Sequence, residues 1–282
     1  MIADIASRYV YVKEIGVGGT GVVNLFVDTH TGFQVAIKSL FKSHFENNPA
    51  MLKRFKTEAN IYLMLSHPNI VKLKNFILKK DGAHLVMDYV EGMTLDKYIN
   101  TVTGPMPSEL AITIIREVAS AIGYAHRKTI PISGYSGVLH LDIKPSNILI
   151  TNSLKVMVID YGISQGTEEE RMDQIVGSLM YMAPEQLEND TTLDHRTDIY
   201  ALGILLYQML TGMTPYGSKR KQLDIIFEIK NKPLERIIDI YPHVDNRFQY
   251  IIDKATSKNP DDRFKNCEDF INKLDKISYA EN

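Results

Sequence analysis

The sequence carries at positions 140–147 the run His140-Leu141-Asp142-Ile143-Lys144-Pro145-Ser146-Asn147, and apolar residues follow it at 148–150. This run holds a carboxylate, an ammonium and an amide, which together suit phosphate chemistry. A carboxylate can accept a proton from an attacking hydroxyl, an ammonium can screen a phosphoryl group, and an amide oxygen can ligate Mg²⁺. Pro145 predicts a turn, and the apolar residues predict an anchor in the core. Taken alone, such a spacing can also arise by chance in a polar loop.

Two further motifs follow. Asp160-Tyr161-Gly162 comes soon after the run, and Ala183-Pro184-Glu185 closes the next segment. Together with the run, they resemble the signature set of the eukaryotic-type (Hanks-type) protein kinases. The Lys-x-x-Asn form of the loop is typical of the serine/threonine branch. The resemblance covers nearly the whole chain.

The resemblance implies an α+β, bilobal fold. We expect a small β-rich N-lobe with one main helix over residues 1–87, a hinge over 88–91, and a larger, mostly helical C-lobe over 92–282. Apolar periodicity predicts the elements within these lobes. Strands are predicted over 9–15, 22–27, 35–38, 70–78, 83–87 and 156–159, and helices over 51–66, 94–99, 108–127, 197–211 and 267–277.

The composition is that of an ordinary globular protein. Of the 282 residues, 44% are hydrophobic and 23% are charged, and the net charge is −2. This balance gives no electrostatic case for binding nucleic acid or an anionic membrane surface. The single cysteine, Cys267, excludes an internal disulfide framework. No apolar run approaches the ~20 residues of a membrane span, and the first residues lack a secretory pattern, so we expect a cytoplasmic catalytic module.

A glycine-rich stretch lies near the start of the chain, Gly16-Val17-Gly18-Gly19-Thr20-Gly21. The competing interpretation is a dinucleotide-binding turn, but that motif requires a helix after the glycines. The β-branched and aromatic residues over 22–27 favour a strand instead. A glycine-rich hairpin lets backbone amides approach a triphosphate closely.

The resemblance implies which residues bind ATP and Mg²⁺. Lys38 matches the lysine that holds the α- and β-phosphates, and Glu58 is the candidate for its acidic partner. Met87 matches the gatekeeper, and the hinge backbone at Asp88 and Val90 would hold adenine. The remaining ATP-binding candidates are Ile15, Gly16, Val17, Gly18, Gly19, Thr20, Gly21, Val23, Ala36 and Leu149.

The catalytic and structural roles also follow from the resemblance. Asp142 would activate the acceptor hydroxyl, Lys144 would steady the γ-phosphate, and Asn147 with Asp160 would hold Mg²⁺. Ser178 matches the hydroxyl that bonds to Asp142 and Lys144. The structural candidates are Glu185, Asp198 and Arg263, with Arg263 pairing to Glu185 and Asp198 bracing the catalytic loop.

One departure from the family pattern bears on regulation. Leu141 stands where most regulated kinases carry an arginine that receives an activation-loop phosphate. We therefore expect activity, including autophosphorylation, that does not depend on such phosphorylation. Residues 128–138 form a modest insertion, interpreted as a surface loop.

Two alternatives to a protein serine/threonine kinase remain. A pseudokinase scaffold would be favoured by loss of Lys38, Asp142 or Asp160, all of which are present. A small-molecule phosphotransferase of kinase-like fold would share the His-x-Asp loop but typically lacks the Ala-Pro-Glu motif. The substrates implied by the resemblance are proteins with serine or threonine acceptors, and the sequence leaves the oligomeric state open.

Overall fold

A computed structural model describes residues 5–18, 21–40, 49–79, 82–129, 137–161, 178–188, 192–216 and 221–278. Several positions singled out above lie outside these ranges. They are Gly19, Thr20, most of the 128–138 insertion, Gly162 and most of the segment between Asp160 and Ser178.

The N-terminal region is an antiparallel sheet with a helix packed on it. After α1 (Ile5–Arg8), the strands are β1 (Tyr9–Gly18), β2 (Gly21–Asp28), β3 (Gln34–Leu40), β4 (Leu73–Lys79) and β5 (Gly82–Asp88). Their order across the sheet is β1-β2-β3-β5-β4. Helix α2 (Pro49–Leu63) buries Phe55, Ala59 and Tyr62, which recur at helical spacing along one face.

The C-terminal region is mostly helical and surrounds one buried helix. A small sheet of β6 (Met93–Thr94), β7 (Ile148–Ile150) and β8 (Val156–Val158) lies at its start. The helices are α3 (Leu95–Tyr98), α4 (Ser108–His126), α5 (His195–Thr211), α6 (Gln222–Asn231), α7 (Ile237–Ile240), α8 (Arg247–Ala255) and α9 (Cys267–Ser278). The predicted α+β architecture is confirmed.

Helix α5 lies at the centre of this region, as its continuous apolar sequence predicts. Its residues from Thr197 to Thr211 are buried. The Asp194 side chain caps its start by accepting the N–H of Arg196 at 2.7 Å, and Gly212 ends it in the left-handed conformation at φ +70°. Within the described residues, no helix combines the length and the apolar character that crossing a bilayer requires.

The strand predicted over 70–78 begins later, at Leu73, which corrects the sequence interpretation. Residues before Leu73 pair with β8 of the C-terminal region instead. The N–H of Val71 donates to the carbonyl of Val158 at 2.9 Å, and the N–H of Val158 donates to the carbonyl of Asn69 at 2.8 Å. Ile70 and Val71 are buried, as are Leu73 and Ile77 of β4. The apolar sequence pattern therefore continued across the boundary between the two sheets.

The turn between β7 and β8 contains an exposed leucine in an unfavourable backbone conformation. Leu154 has φ +61°, and its N–H donates to the carbonyl of Thr151 at 2.9 Å. An L-residue in this conformation costs about 1–2 kcal/mol, whereas glycine adopts it freely.

We expect Leu154→Gly to raise the free energy of unfolding by about 0.5–1 kcal/mol, since relief of the strain exceeds the entropy that glycine adds to the unfolded chain. Urea denaturation should show a higher midpoint with an unchanged slope. The matched control is Leu154→Ala, which removes the exposed side chain but keeps the strained backbone. Equal stabilisation by both substitutions would contradict the backbone explanation.

Candidate active site

The residues of the catalytic loop converge on the Asp142 carboxylate. A single 3₁₀ turn (Pro145–Asn147) between the loop and β7 directs the Asn147 side chain back to the loop. Its Nδ2 donates to the carbonyl oxygen of Asp142 at 2.8 Å and to Asp142 Oδ2 at 2.9 Å. Lys144 Nζ lies 2.8 Å from Asp142 Oδ2 and donates to Ser178 Oγ at 2.7 Å. The predicted carboxylate, ammonium, amide and hydroxyl therefore lie together.

The backbone of this loop is held by a buried acid from α5. Asp198 Oδ2 accepts the N–H of His140 and Asp198 Oδ1 accepts the N–H of Leu141, both at 2.8 Å. His126 Nε2 lies 2.8 Å from Asp198 Oδ2. Burial alone would raise the pKa of Asp198, but its hydrogen bonds to His126 and to the loop outweigh burial, and the pKa lies below its ordinary value. A charged carboxylate is thus stable here.

Asp160, which follows β8, pairs with the lysine of β3. Lys38 Nζ lies 2.9 Å from Asp160 Oδ2, and the Lys38 side chain is only 7% exposed. Burial would raise the pKa of Asp160, but the neighbouring Lys38 ammonium lowers it below its ordinary value. This pairing joins the N-terminal sheet to the catalytic loop region. The resemblance implied a metal-binding role for Asp160 and gave no indication of its contact with Lys38.

Glu58 lies half-buried on α2. The hydrogen bond described above occupies Lys38 with Asp160, and the pairing of Lys38 with Glu58 stays a prediction.

Tyr161, the residue after Asp160, packs between the N-terminal and C-terminal regions. Its ring centroid lies 4.6 Å from that of His140 and 5.8 Å from that of Tyr62 on α2. The hydroxyl donates to the carbonyl of Ala121 at 3.3 Å. Burial raises the pKa of Tyr161 well above its ordinary value, so the hydroxyl stays protonated as a donor. A tyrosine at this position is therefore accommodated by a specific acceptor on α4.

The candidate nucleotide-binding residues lie on β1, β2, β3 and β7. Val23 and Leu149 are half-buried, Ala36 is buried, and Ile15 is exposed. In the sheet, Val23 faces Lys38 and Ala36 faces Met87, so the apolar residues adjoin the lysine and the predicted gatekeeper. The hinge candidates Asp88 and Val90 follow directly along the chain, where Asp88 ends β5.

The glycines of the glycine-rich hairpin differ in the space around their Cα atoms. A Cβ on Gly21 would lie 2.2 Å from the carbonyl oxygen of Ser39, so Gly21 is required by the close approach of β3. A Cβ on Gly16 or Gly18 would meet nothing within 4 Å. Their lack of side chains leaves space beside the backbone, as a bound phosphate group would need.

The predicted magnesium ligands are brought together through the backbone. The N–H of Ile159, the residue before Asp160, donates to the carbonyl of Asn147 at 3.0 Å. Because Nδ2 of Asn147 faces Asp142, its amide oxygen points away from that carboxylate. In the described part of the chain, no group of three or more His, Cys, Asp or Glu could hold an ion by itself. The residues fit Mg²⁺, which takes one or two protein oxygens and completes its shell with phosphate oxygens and water.

A buried ion pair anchors the segment that follows Ser178. Arg263 Nη1 and Nη2 donate to the two carboxylate oxygens of Glu185 at 2.6 and 2.8 Å, and Thr197 Oγ1 donates to Glu185 Oε1 at 2.9 Å. The other N–H groups of Arg263 donate to backbone carbonyls. Burial would raise the pKa of Glu185, but these bonds outweigh it and lower the pKa. The pair is fully satisfied, as a buried ion pair requires.

Two residues that the motifs did not indicate help to hold the loop, one through Asp198 and one directly. His126 bonds to Asp198, and the Gln186 side chain donates to the carbonyl of Leu141 at 3.1 Å. Neither stands in a motif used above. A buried aspartate needs hydrogen-bond donors around it. Applied to Asp198, this requirement could have indicated His126 before the structure was known.

The chain is similar in sequence to known protein kinases. Residues 9–274 match the protein kinase domain family. The chain is 34% identical over 269 residues to "Probable serine/threonine-protein kinase PknB" of Lactococcus lactis, covering 94% of this chain and 41% of that protein. It is 35% identical over 268 residues to serine/threonine-protein kinase PrkC of Bacillus subtilis, covering 94% and 40%. The chain thus spans about two fifths of the length of these relatives.

Solved structures show the same fold. The kinase domain of Mycobacterium tuberculosis PknI aligns with a TM-score of 0.74 at 23% identity, covering 96% of each chain. The structure of Rad53 residues 1–466 in complex with AMP-PNP aligns with a TM-score of 0.76 at 23% identity, covering 95% of this chain and 65% of that one.

Proposed function

Because the chain belongs to the protein kinase domain family, we propose that it transfers the γ-phosphoryl group of ATP to serine or threonine hydroxyls of proteins, its own included. The main observation behind this proposal is that Lys144 Nζ contacts both Asp142 Oδ2, at 2.8 Å, and Ser178 Oγ, at 2.7 Å. The curated relatives carry serine/threonine kinase names, and the Rad53 structure holds an ATP analogue, which supports the proposal.

In the proposed mechanism, positioning and charge neutralisation do most of the work. Asp142 orients the acceptor hydroxyl and takes its proton as the new bond between oxygen and the γ-phosphorus forms. The bond from the γ-phosphorus to the bridging oxygen breaks, and ADP leaves. Lys144 steadies the γ-phosphate while Ser178 holds the lysine in place.

The nucleotide would be held by groups on both sides of the cleft. Lys38, with Glu58 behind it, would contact the α- and β-phosphates, and the hinge at Asp88 and Val90 would hold adenine. Asn147 and Asp160 would ligate Mg²⁺, which neutralises charge on the phosphates. The contact of Lys38 with Asp160 at 2.9 Å supports this proposal, because it brings the proposed phosphate-binding lysine next to the proposed magnesium ligand.

An assay with labelled ATP and Mg²⁺, run in parallel with a generic basic protein and with an aminoglycoside as acceptors, tests this function. Label on serine or threonine of the added protein, or of the chain itself, supports it. A chain that binds nucleotide but labels nothing would be a pseudokinase scaffold. A chain that labels only a small aminoglycoside-like acceptor would be a small-molecule phosphotransferase. Either of the last two results would overturn the proposal.

We also propose that activity does not require a phosphorylated activation segment, because Leu141 offers no charge to a phosphate. Phosphatase treatment is therefore expected to leave kcat within about twofold of its value before treatment. Mass spectrometry before and after treatment checks that phosphate has been removed. A dephosphorylated protein with negligible activity would refute this expectation.

A further inference from the structure

The two peptide groups that flank Leu141, directly before Asp142, are each held by a hydrogen bond from a side chain. Leu141 has φ +62°, a conformation that a leucine adopts only when its surroundings enforce it. Its N–H donates to Asp198 Oδ1 at 2.8 Å, and its carbonyl accepts from Gln186 Nε2 at 3.1 Å. The carbonyl belongs to the peptide bond joining Leu141 to Asp142. Its orientation therefore sets where the Asp142 side chain leaves the backbone.

Gln186 joins this peptide to the anchored end of the preceding segment. Its Oε1 accepts the N–H of Ala183 at 2.9 Å, within the short turn Pro184–Leu187 that carries Glu185. Glu185 is fixed to Arg263 by the buried ion pair. One amide side chain thus spans from a rigid anchor to the catalytic loop, 45 residues away in sequence.

We propose that Gln186 is a positioning residue for phosphotransfer, coupling the Ala183–Glu185 anchor to the Leu141–Asp142 peptide. Its neutral hydrogen bond connects the segment at Ala183–Glu185 to the catalytic loop, a connection that the apolar side chain of Leu141 cannot make. The inference rests on the proposed kinase function for its effect on rate, and on geometry alone for its effect on the loop.

The two bonds of Gln186 can be separated chemically. Glutamate keeps an acceptor for the Ala183 N–H but, when ionised, has no donor for the Leu141 carbonyl. Methionine has similar length, carries no charge and makes neither bond strongly. Gln249 is the matched control, because its Oε1 also accepts a backbone N–H, from Ile237 at 2.8 Å, and its Nε2 donates to Asp253 at 2.8 Å, both away from the catalytic loop.

The kinetic test compares Gln186→Glu, Gln186→Met and Gln249→Met. We expect both Gln186 variants to lower kcat about tenfold, the worth of one hydrogen bond, with KM for ATP within about twofold. For Gln186→Glu, the ratio of its kcat to that of the unaltered protein should rise as pH falls from about 6.5 to 4.5. Glutamate becomes protonated near its ordinary pKa of about 4.3, and the protonated carboxyl can donate to Leu141. The ratio for Gln186→Met should stay flat, and Gln249→Met should keep its kcat.

Hydrogen exchange provides a readout that does not need activity. Peptides covering residues 138–149 should exchange faster in Gln186→Met than in the unaltered protein, and should be unchanged in Gln249→Met. Unchanged loop exchange overturns the inference, whatever the value of kcat. If the unaltered protein transfers no phosphate, the kinase proposal fails, and the exchange result alone decides whether Gln186 positions the loop.

Discussion

Replacement of Asp142 by asparagine is expected to lower kcat for phosphotransfer by about 10²–10⁴-fold, the usual contribution of a general base. Asparagine keeps the shape of the side chain and an oxygen that can accept from Asn147 and Lys144, which both bond to Asp142 Oδ2. What it lacks is the ability to take the proton of the acceptor hydroxyl. Steady-state rates at saturating ATP measure this loss directly.

Nucleotide binding should survive the same substitution. Most predicted ATP contacts lie on β1–β3, β7 and the hinge, and Lys144 keeps an oxygen acceptor on asparagine. The dissociation constant for ATP should therefore change by less than about threefold. Asp239→Asn, which removes a carboxylate from the exposed face of α7, is the matched control and should retain full activity. An Asp142→Asn protein with undiminished phosphotransfer would refute the role of Asp142.

Local patterns were sufficient to predict most of the elements. The apolar stripe of α4 and the all-round apolar sequence of α5 correspond to buried helices within about two residues of the predicted bounds. The β-branched run after the glycines indicated β2 in place of a helix, as found. No helix was predicted between Gly212 and Cys267, where α6, α7 and α8 lie.

The candidate site was predicted less completely, because long-range contacts leave no local pattern. The motifs placed Asp142, Lys144 and Asn147 together, since they share one short loop. The contact of Lys38 with Asp160 joins residues 122 positions apart, and nothing in the composition of either stretch encodes it. Gln186 stands beside a recognised motif, yet its bond to Leu141 depends on how two turns pack. Such contacts become visible only once the fold is known.

Replacement of Asp198 by asparagine is expected to lower the free energy of unfolding at pH 7 by about 3 kcal/mol, and to slow phosphotransfer as well. The carboxylate accepts from His126 and from the N–H groups of His140 and Leu141. An asparagine has one acceptor oxygen and turns an NH₂ group toward another donor, which leaves a buried donor unsatisfied. Urea denaturation measures the loss of stability.

The pH dependence gives a sharper test of the same prediction. The pKa of Asp198 is lower in the folded protein than its ordinary value, so its charge stabilises the fold above the unfolded pKa of about 3.9. This contribution disappears as the pH falls through the lower, folded pKa. The stability difference between the unaltered protein and Asp198→Asn should therefore be constant above about pH 5 and shrink below pH 4.

Asp194→Asn is the matched control for this prediction, since it changes an aspartate of the same helix by the same chemistry. Asp194 caps α5 and is 41% exposed, and asparagine caps a helix about as well as aspartate. Its substitution should cost less than about 1 kcal/mol and leave kcat unchanged. If Asp198→Asn were as stable and as active as Asp194→Asn, the buried carboxylate would not be what holds the catalytic loop, and the strained backbone at Leu141 would need another cause.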